Sequence, residues 1–273
     1  MMDYSKKERL YVVKIGGEVI DDDGSYENFI RSFSKIDALK VLVHGGGKIA
    51  SQIGSQLGVT PQYHNGRRIT DKDTLQLVTM VYAGWINKKI VSSLQQHHCN
   101  AIGLTGADGN ILPAKKRASE PVDFGFVGDP QPALASQTTL PILLSSGLVP
   151  VIASLTHDQQ GQLLNTNADT IASEIAVLLS QQYEVNLIYC FQKKGVLLDV
   201  NNPESVIPGI HRAEFEMLKA TEKIYEGMLP KIETALSASE RGVNKVLIGC
   251  AEDILLNITD GFHGTLIQSN QSI

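Results

Sequence analysis

The chain has 273 residues, with 24 Lys and Arg against 29 Asp and Glu, a formal net charge of −5 at pH 7. Apolar residues make up 42% and charged residues 19%, which excludes a disordered or collagen-like chain and allows one large domain or two joined lobes. The acidic balance excludes a surface built to neutralise nucleic-acid phosphates, although a small anion needs only two or three cations in one cleft. Cys99, Cys190 and Cys250 are too few and too scattered for a disulfide framework or a zinc site. No run approaches the roughly 18 apolar residues of a membrane helix, and MMDYSKKERL leads into a stretch too short and glycine-rich for a signal sequence. The expectation is a cytoplasmic protein that binds neither nucleic acid nor membrane.

In chain order, Tyr11–Ile15 is a short apolar, β-branched run that ends in Gly16-Gly17, and Lys40–Val43 is a second that ends in His44-Gly45-Gly46-Gly47. Ile49–Leu57 and Asp73–Gln96 have helical periodicity. Ala101–Leu104 reads as a strand running into Gly106, and Lys115–Pro132, around FGFVGD, as a hairpin or loop excursion. Leu148–Ala153 reads as a strand before a polar hairpin, Asp169–Gln181 as a helix, and Val185–Tyr189 as a strand. A polar connector, Asn201–Pro208, precedes a helix over Pro230–Arg241 and a strand over Val243–Gly249. Strands alternating with helices predict an α/β protein: βαβ crossovers around a mostly parallel open sheet. Ligands of such sheets bind beyond the carboxyl ends of the strands, where the glycine clusters fall.

Glycines after strands let main-chain N–H groups approach an anion closely. Two clusters behind two successive strands suggest cradles for two anionic groups. Gly45-Gly46-Gly47-Lys48-Ile49-Ala50 formally fits the dinucleotide fingerprint G-x-G-x-x-A, but it follows the second strand and Gln62–Arg67 holds no Asp or Glu. A Walker A loop is absent from the sequence. Lys14, at the end of an apolar strand, needs an anion opposite it or an escape to solvent. Lys231, at a helix start where acidic residues are favoured, suits phosphate oxygens. In Leu164–Thr170 one of Asn167 and Asp169 could cap the next helix, and the remaining polar groups exceed what a cap needs. Asn65-Gly66-Arg67-Arg68 offers a turn followed by guanidiniums suited to a carboxylate. His44 could contact phosphate or orient the glycine loop. No nucleophile–histidine spacing appears, and a carboxylate acceptor, ionised near neutral pH, would need no base. Phosphoryl transfer mainly needs positioning and charge neutralisation.

The ordered set VVKIGG (12–17), VHGGGK (43–48), NGRRITD (65–71), AGWINK (83–88), GLTGADG (103–109), NTNAD (165–169), GMLPK (227–231) and HGT (263–265) resembles the amino-acid kinase family over nearly the whole chain. The closest likeness is to the branch that phosphorylates N-acetyl-L-glutamate in arginine biosynthesis. The resemblance implies a three-layer αβα sandwich forming a single domain over 1–273, with an acyl-amino-acid lobe near 1–180 and an ATP lobe near 181–273. It implies ATP and Mg²⁺, the metal carried by the nucleotide, and transfer of the γ-phosphate to the side-chain carboxylate of an N-acyl-L-glutamate. By motif, Lys14 and Lys231 would stabilise the migrating phosphoryl group and Asp169 would organise them. Gly46, Gly47, Arg68 and Asn165 would bind the acceptor, while Gly16, Gly17 and Gly195 would line the nucleotide path. A homodimer through Asp73–Gln96 is implied as well. One departure stands out: Phe191-Gln192-Lys193-Lys194-Gly195 replaces the family's usual Thr/Ser-Asp-Val-x-Gly loop. The alternatives are an N-succinyl acceptor, a carbamate or aspartate acceptor, a non-catalytic sensor and a dinucleotide oxidoreductase.

Overall fold

The computed structural model describes residues 7–221, 223–224, 226–259 and 263–269. It divides into two compact units, one made of residues 1–40 and 172–273 and the other of 41–171. The lobes expected at 1–180 and 181–273 therefore do not follow the units. Arg9–Ile15 pairs in parallel with Glu184–Phe191 along its whole length, Arg9 opposite Glu184 and Ile15 opposite Cys190, which ties the first strand to the carboxyl-terminal part of the chain.

In the first unit the strand order is Gly209–His211, Thr265–Gln268, Lys245–Cys250, Glu184–Phe191, Arg9–Ile15. Its pairs are parallel except Lys245–Cys250 with Thr265–Gln268. Leu10, Val12, Val13, Ile15, Val185, Leu187 and Val246 are buried completely, so these strands read as apolar runs, as expected of a sheet covered on both faces. Helix Asp23–Ser34 buries Tyr26, Phe29, Ile30 and Phe33, spaced for one helical face, and Asp22 caps it by accepting from the Ser25 amide at 2.8 Å. Its other end is capped by Lys40. That ammonium is buried and donates to the carbonyls of Phe33, Ser34 and Ile36 at 3.0, 2.9 and 2.8 Å.

In the second unit Leu39–His44 pairs in parallel with Val149–Ala153, which pairs in parallel with Ala101–Leu104. The excursion near 115–132 is a hairpin of Ala114–Lys116 with Gly128–Pro130, and the polar stretch after Ala153 is the hairpin Leu155–His157 with Leu163–Asn165. The periodic stretch 73–96 is more than one regular α-helix. Lys72–Val78 and Asn87–Gln96 are α-helical, but Thr79–Ile86 between them is a π-helix. The α/β class with mostly parallel strands is thus as the sequence predicts. Among the described residues no helix is long and apolar enough to cross a membrane.

Candidate active site

Two groups of residues gather the chemistry, one in each unit. In the first, parallel pairing places Lys14 opposite Tyr189. Side chains two apart share a face of a strand, so Lys14 emerges on the same face as Phe191, the last residue of its partner strand. Lys14 is only 7% exposed, and its Nζ lies 4.8 Å from the centre of the Phe191 ring. Lys231, third residue of helix Leu229–Glu240, brings its Nζ to 4.0 Å from the same ring. Two lysines 217 positions apart by number thus come within 5 Å of the centre of one aromatic ring.

The helix that carries Lys231 is held by ion pairs. Arg212, at the start of helix Arg212–Ala220, donates to Glu233 at 2.7 Å and to both oxygens of Glu240 at 3.0 and 3.1 Å. These hydrogen bonds hold the guanidinium above its ordinary pKa against the opposing effect of burial. Arg241, just past the helix, grips Glu174 of helix Ala168–Ser180 through two bonds of 2.6 and 2.7 Å. Two-pronged pairs of this kind fix geometry as well as charge.

The glycines of this unit divide in a way the sequence does not reveal. The Gly16 amide donates to the Cys190 carbonyl at 3.0 Å, so it continues the sheet rather than offering a free N–H to an anion. At Gly17 no atom lies within 4 Å of where a Cβ would stand, leaving open space before the short helix Gly17–Asp21. Gly195 is a packing glycine: a Cβ there would meet Thr265 Oγ1 at 2.7 Å and Val206 Cγ1 at 2.9 Å.

In the second unit the Asn65-Gly66 turn, with φ of 46° and 72°, joins Gln62–His64 to Arg67–Ile69 and aims Arg68 back at the glycine loop. Arg68 Nη2 donates to Gly47 O at 2.8 Å and to the hydroxyls of Ser51 and Tyr63 at 2.7 Å each. Its Nη1 is buried with no hydrogen-bond partner among the described residues, a donor that suits an incoming anion. Two residues on, Thr70 accepts from Asn165 Nδ2 at 3.0 Å, so Arg68 and Asn165 belong to one polar cluster. Asn167, not Asp169, caps helix Ala168–Ser180: its Oδ1 accepts from the amides of Asp169 and Thr170 at 2.7 and 3.2 Å. The Asp169 carboxylate, in a side chain 8% exposed, is therefore not committed to capping.

Gly46, the N-cap of helix Gly47–Gln56, is dictated by packing. A Cβ there would run into Ile86 Cδ1 and crowd the Tyr82 ring, both from the π-helical segment. Burial pushes the Tyr82 phenol up, opposed by the nearby Arg68 charge. His44 is buried and bonds Gly45 O and Asn87 rather than facing outward, so its role is to orient the loop. The sequence reading missed Ser51, Tyr63, Thr70 and Asn87 as partners of the site, although AGWINK contains the last of them. Among the described residues no group of three or more His, Cys, Asp or Glu is placed to hold a metal ion.

Lysines from a strand end and a helix start that meet at one ring, and a glycine loop gripped by an arginine, define an α/β protein suited to handling phosphate. The profile described as amino acid kinase family matches residues 9–250, and the chain belongs to that family. It is 49% identical to the acetylglutamate kinase of Bacteroides fragilis over 262 residues, which cover 96% of this chain and 98% of that one. Its identity to the acetylglutamate kinase of Cytophaga hutchinsonii is 48% over 254 residues, 91% and 94% of the two chains. Among solved structures, smu.665 from Streptococcus mutans matches with a TM-score of 0.77 at 28% identity, covering 95% of this chain and 98% of that one.

Proposed function

We propose that the chain transfers the γ-phosphate of ATP to the side-chain carboxylate of N-acetyl-L-glutamate, giving an acyl phosphate, as a step of arginine biosynthesis. The observation that carries the reading is the convergence of Lys14 and Lys231 on the Phe191 ring. Lys14 at a strand end and Lys231 near a helix start bring two cations to one ring, an arrangement suited to an anion. The acetylated acceptor is preferred over the succinyl, carbamate, aspartate and sensor readings because the relatives that match across the chain carry that name.

In this reading Lys14 and Lys231 neutralise charge that builds on the migrating phosphoryl oxygens. The space at Gly17 admits a phosphate. The Gly16 and Gly195 contacts shape that path through packing instead of free amides. Arg68 offers Nη1 to the acceptor's α-carboxylate, and Asn165 and the Gly46-Gly47 backbone hold its acylamino end. The acceptor carboxylate is already ionised near pH 7, so no side chain has to remove a proton. The donor set around Lys14, Gly17 and Lys231 is anion-seeking. Mg²⁺ therefore fits there as part of the nucleotide, where it supplies further neutralisation of the phosphate oxygens. Units 1–40 with 172–273 and 41–171 take the nucleotide and acceptor roles respectively.

A homodimer through the segment Asp73–Gln96 accompanies this reading, supported by the exposed Met80 and Trp85, 51% and 62% accessible. Light scattering on the purified protein tests it. The activity is tested by coupled ADP release with N-acetyl-L-glutamate, N-succinyl-L-glutamate, L-aspartate and carbamate, with hydroxylamine trapping of the acyl phosphate. Turnover and a trapped hydroxamate with the acetylated substrate are expected. A folded protein that turns over none of the four would overturn the proposal.

A further inference from the structure

We infer that Phe191 is a positioning residue whose ring fixes the ammonium groups of Lys14 and Lys231 by cation–π attraction. This deepens the kinase reading, and its kinetic consequence rests on that reading. Both Nζ atoms, at 4.8 and 4.0 Å from the ring centre, lie inside the roughly 6 Å reach of a cation–π contact. The lysines arrive from unrelated elements, a strand end and the third residue of a helix, and the ring is their shared reference point.

The ring is itself well anchored. Phe191 ends an eight-residue strand, lies opposite Cys250 on the neighbouring strand, and its carbonyl accepts from the Ala251 amide at 2.9 Å. Its Cδ1 lies 3.5 Å from where a Cβ on Gly16 would stand, so Gly16 lets the ring settle against the turn. Lysine is a flexible, strongly hydrated cation that loses rotamer freedom when held still, and two like charges repel. An aromatic face attracts the cations through its quadrupole and leaves their net charge intact.

The test places mono-, di- and trifluorinated phenylalanine at position 191 by site-specific incorporation, with Phe191→Leu and Phe191→Tyr alongside. Fluorination weakens the ring quadrupole with little change of shape, so folding is preserved across the series. With N-acetyl-L-glutamate and Mg-ATP, kcat should fall stepwise to a total loss of roughly threefold to thirtyfold, with both KM values within about twofold. Phe191→Tyr should retain activity near wild type. Independently of turnover, two lysine ε-methylene signals in carbon–proton correlation spectra should be ring-current shifted upfield and return to ordinary positions in Phe191→Leu. Absence of those shifted signals, or a flat kcat across the fluorinated series, overturns the proposal. An inactive wild type that still shows both shifted signals supports the lysine-holding role and fails the kinase reading alone.

Discussion

Asn87 donates its amide Nδ2 to His44 Nε2 at 3.1 Å, and His44 Nδ1 then donates to Gly45 O at 2.9 Å. The other hydrogen of the same Asn87 amide goes to Val151 O at 2.9 Å, and Asn87 Oδ1 accepts from Lys88 at 3.1 Å. A buried chain of donors and acceptors thus runs from helix Asn87–Gln96 to the first glycine of the loop. It works only with a neutral imidazole, because Nε2 must accept.

Burial lowers the His44 pKa from 6.5 to about 4, against the opposing bond to Gly45 and with a smaller push from Lys88. The unfolded chain therefore binds the extra proton first, and stability rises with pH between those values. The contribution is complete above about pH 6.5 and is lost as pH falls towards 4. Between pH 7 and 5 wild type should lose about 2 kcal/mol more than His44→Gln. Urea titrations of both proteins at the two pH values measure the difference, and equal losses would contradict it.

Lys40 caps three carbonyls at the end of helix Asp23–Ser34 from a side chain only 6% exposed. Hydrogen bonds from a charged group are the stronger kind, and the carbonyls would be left buried without it. Lys40→Met should cost about 3 kcal/mol. A lowered urea midpoint with an unchanged slope is the expected result, read by circular dichroism.

Gly46→Ala drives a methyl group into Ile86 and against Tyr82. Overpacking of this kind costs about 1–3 kcal/mol, and it should also raise KM for the acceptor by moving the loop. Ile86→Val removes the atom it meets, so the double variant should regain most of the loss. If the two substitutions simply add, the contact is not the cause.

Arg68→Lys keeps the charge but loses the fork, one nitrogen of which serves Gly47, Ser51 and Tyr63 while the other is the one proposed to meet the acceptor carboxylate. KM for N-acetyl-L-glutamate should rise roughly tenfold to a hundredfold, with kcat much less affected. Steady-state kinetics at saturating ATP decides this.

Lys231→Ala removes one of the two cations at the Phe191 ring. A contact that strengthens as the phosphoryl group moves should show in kcat, by roughly a hundredfold or more, with KM for ATP within a few-fold. A pure KM effect would assign Lys231 to ground-state binding.

Where local chemistry decides the structure, the sequence was readable. The apolar run before Gly16-Gly17 is a strand because β-branched residues precede a turn, and NTNAD opens a helix because Asn167 can cap it. The spacing of Tyr26, Phe29, Ile30 and Phe33 fits one face of helix Asp23–Ser34, which is not among the elements expected from the sequence. The π-helical Thr79–Ile86 was not legible: its residues are nearly all apolar, and no periodicity separates i+4 from i+5 bonding. Among the site residues, the lysines stood out by residue type at strand and helix ends. The role of Phe191 did not, because it depends on the register between strands far apart in sequence. Gly16 and Gly195 looked alike as letters, yet one closes a sheet bond and the other admits Thr265.

The register of Arg9 with Glu184 also bears on how the chain is made. The two residues are 175 positions apart, so at about 5–20 residues per second the ribosome needs roughly ten to thirty seconds to deliver the partner strand. Throughout that interval an apolar segment with bare peptide edges waits in the nascent chain while 41–171 is already complete and able to collapse. Substitutions that slow translation after residue 171 should therefore show their effect in the yield of soluble product before any change appears in the purified enzyme.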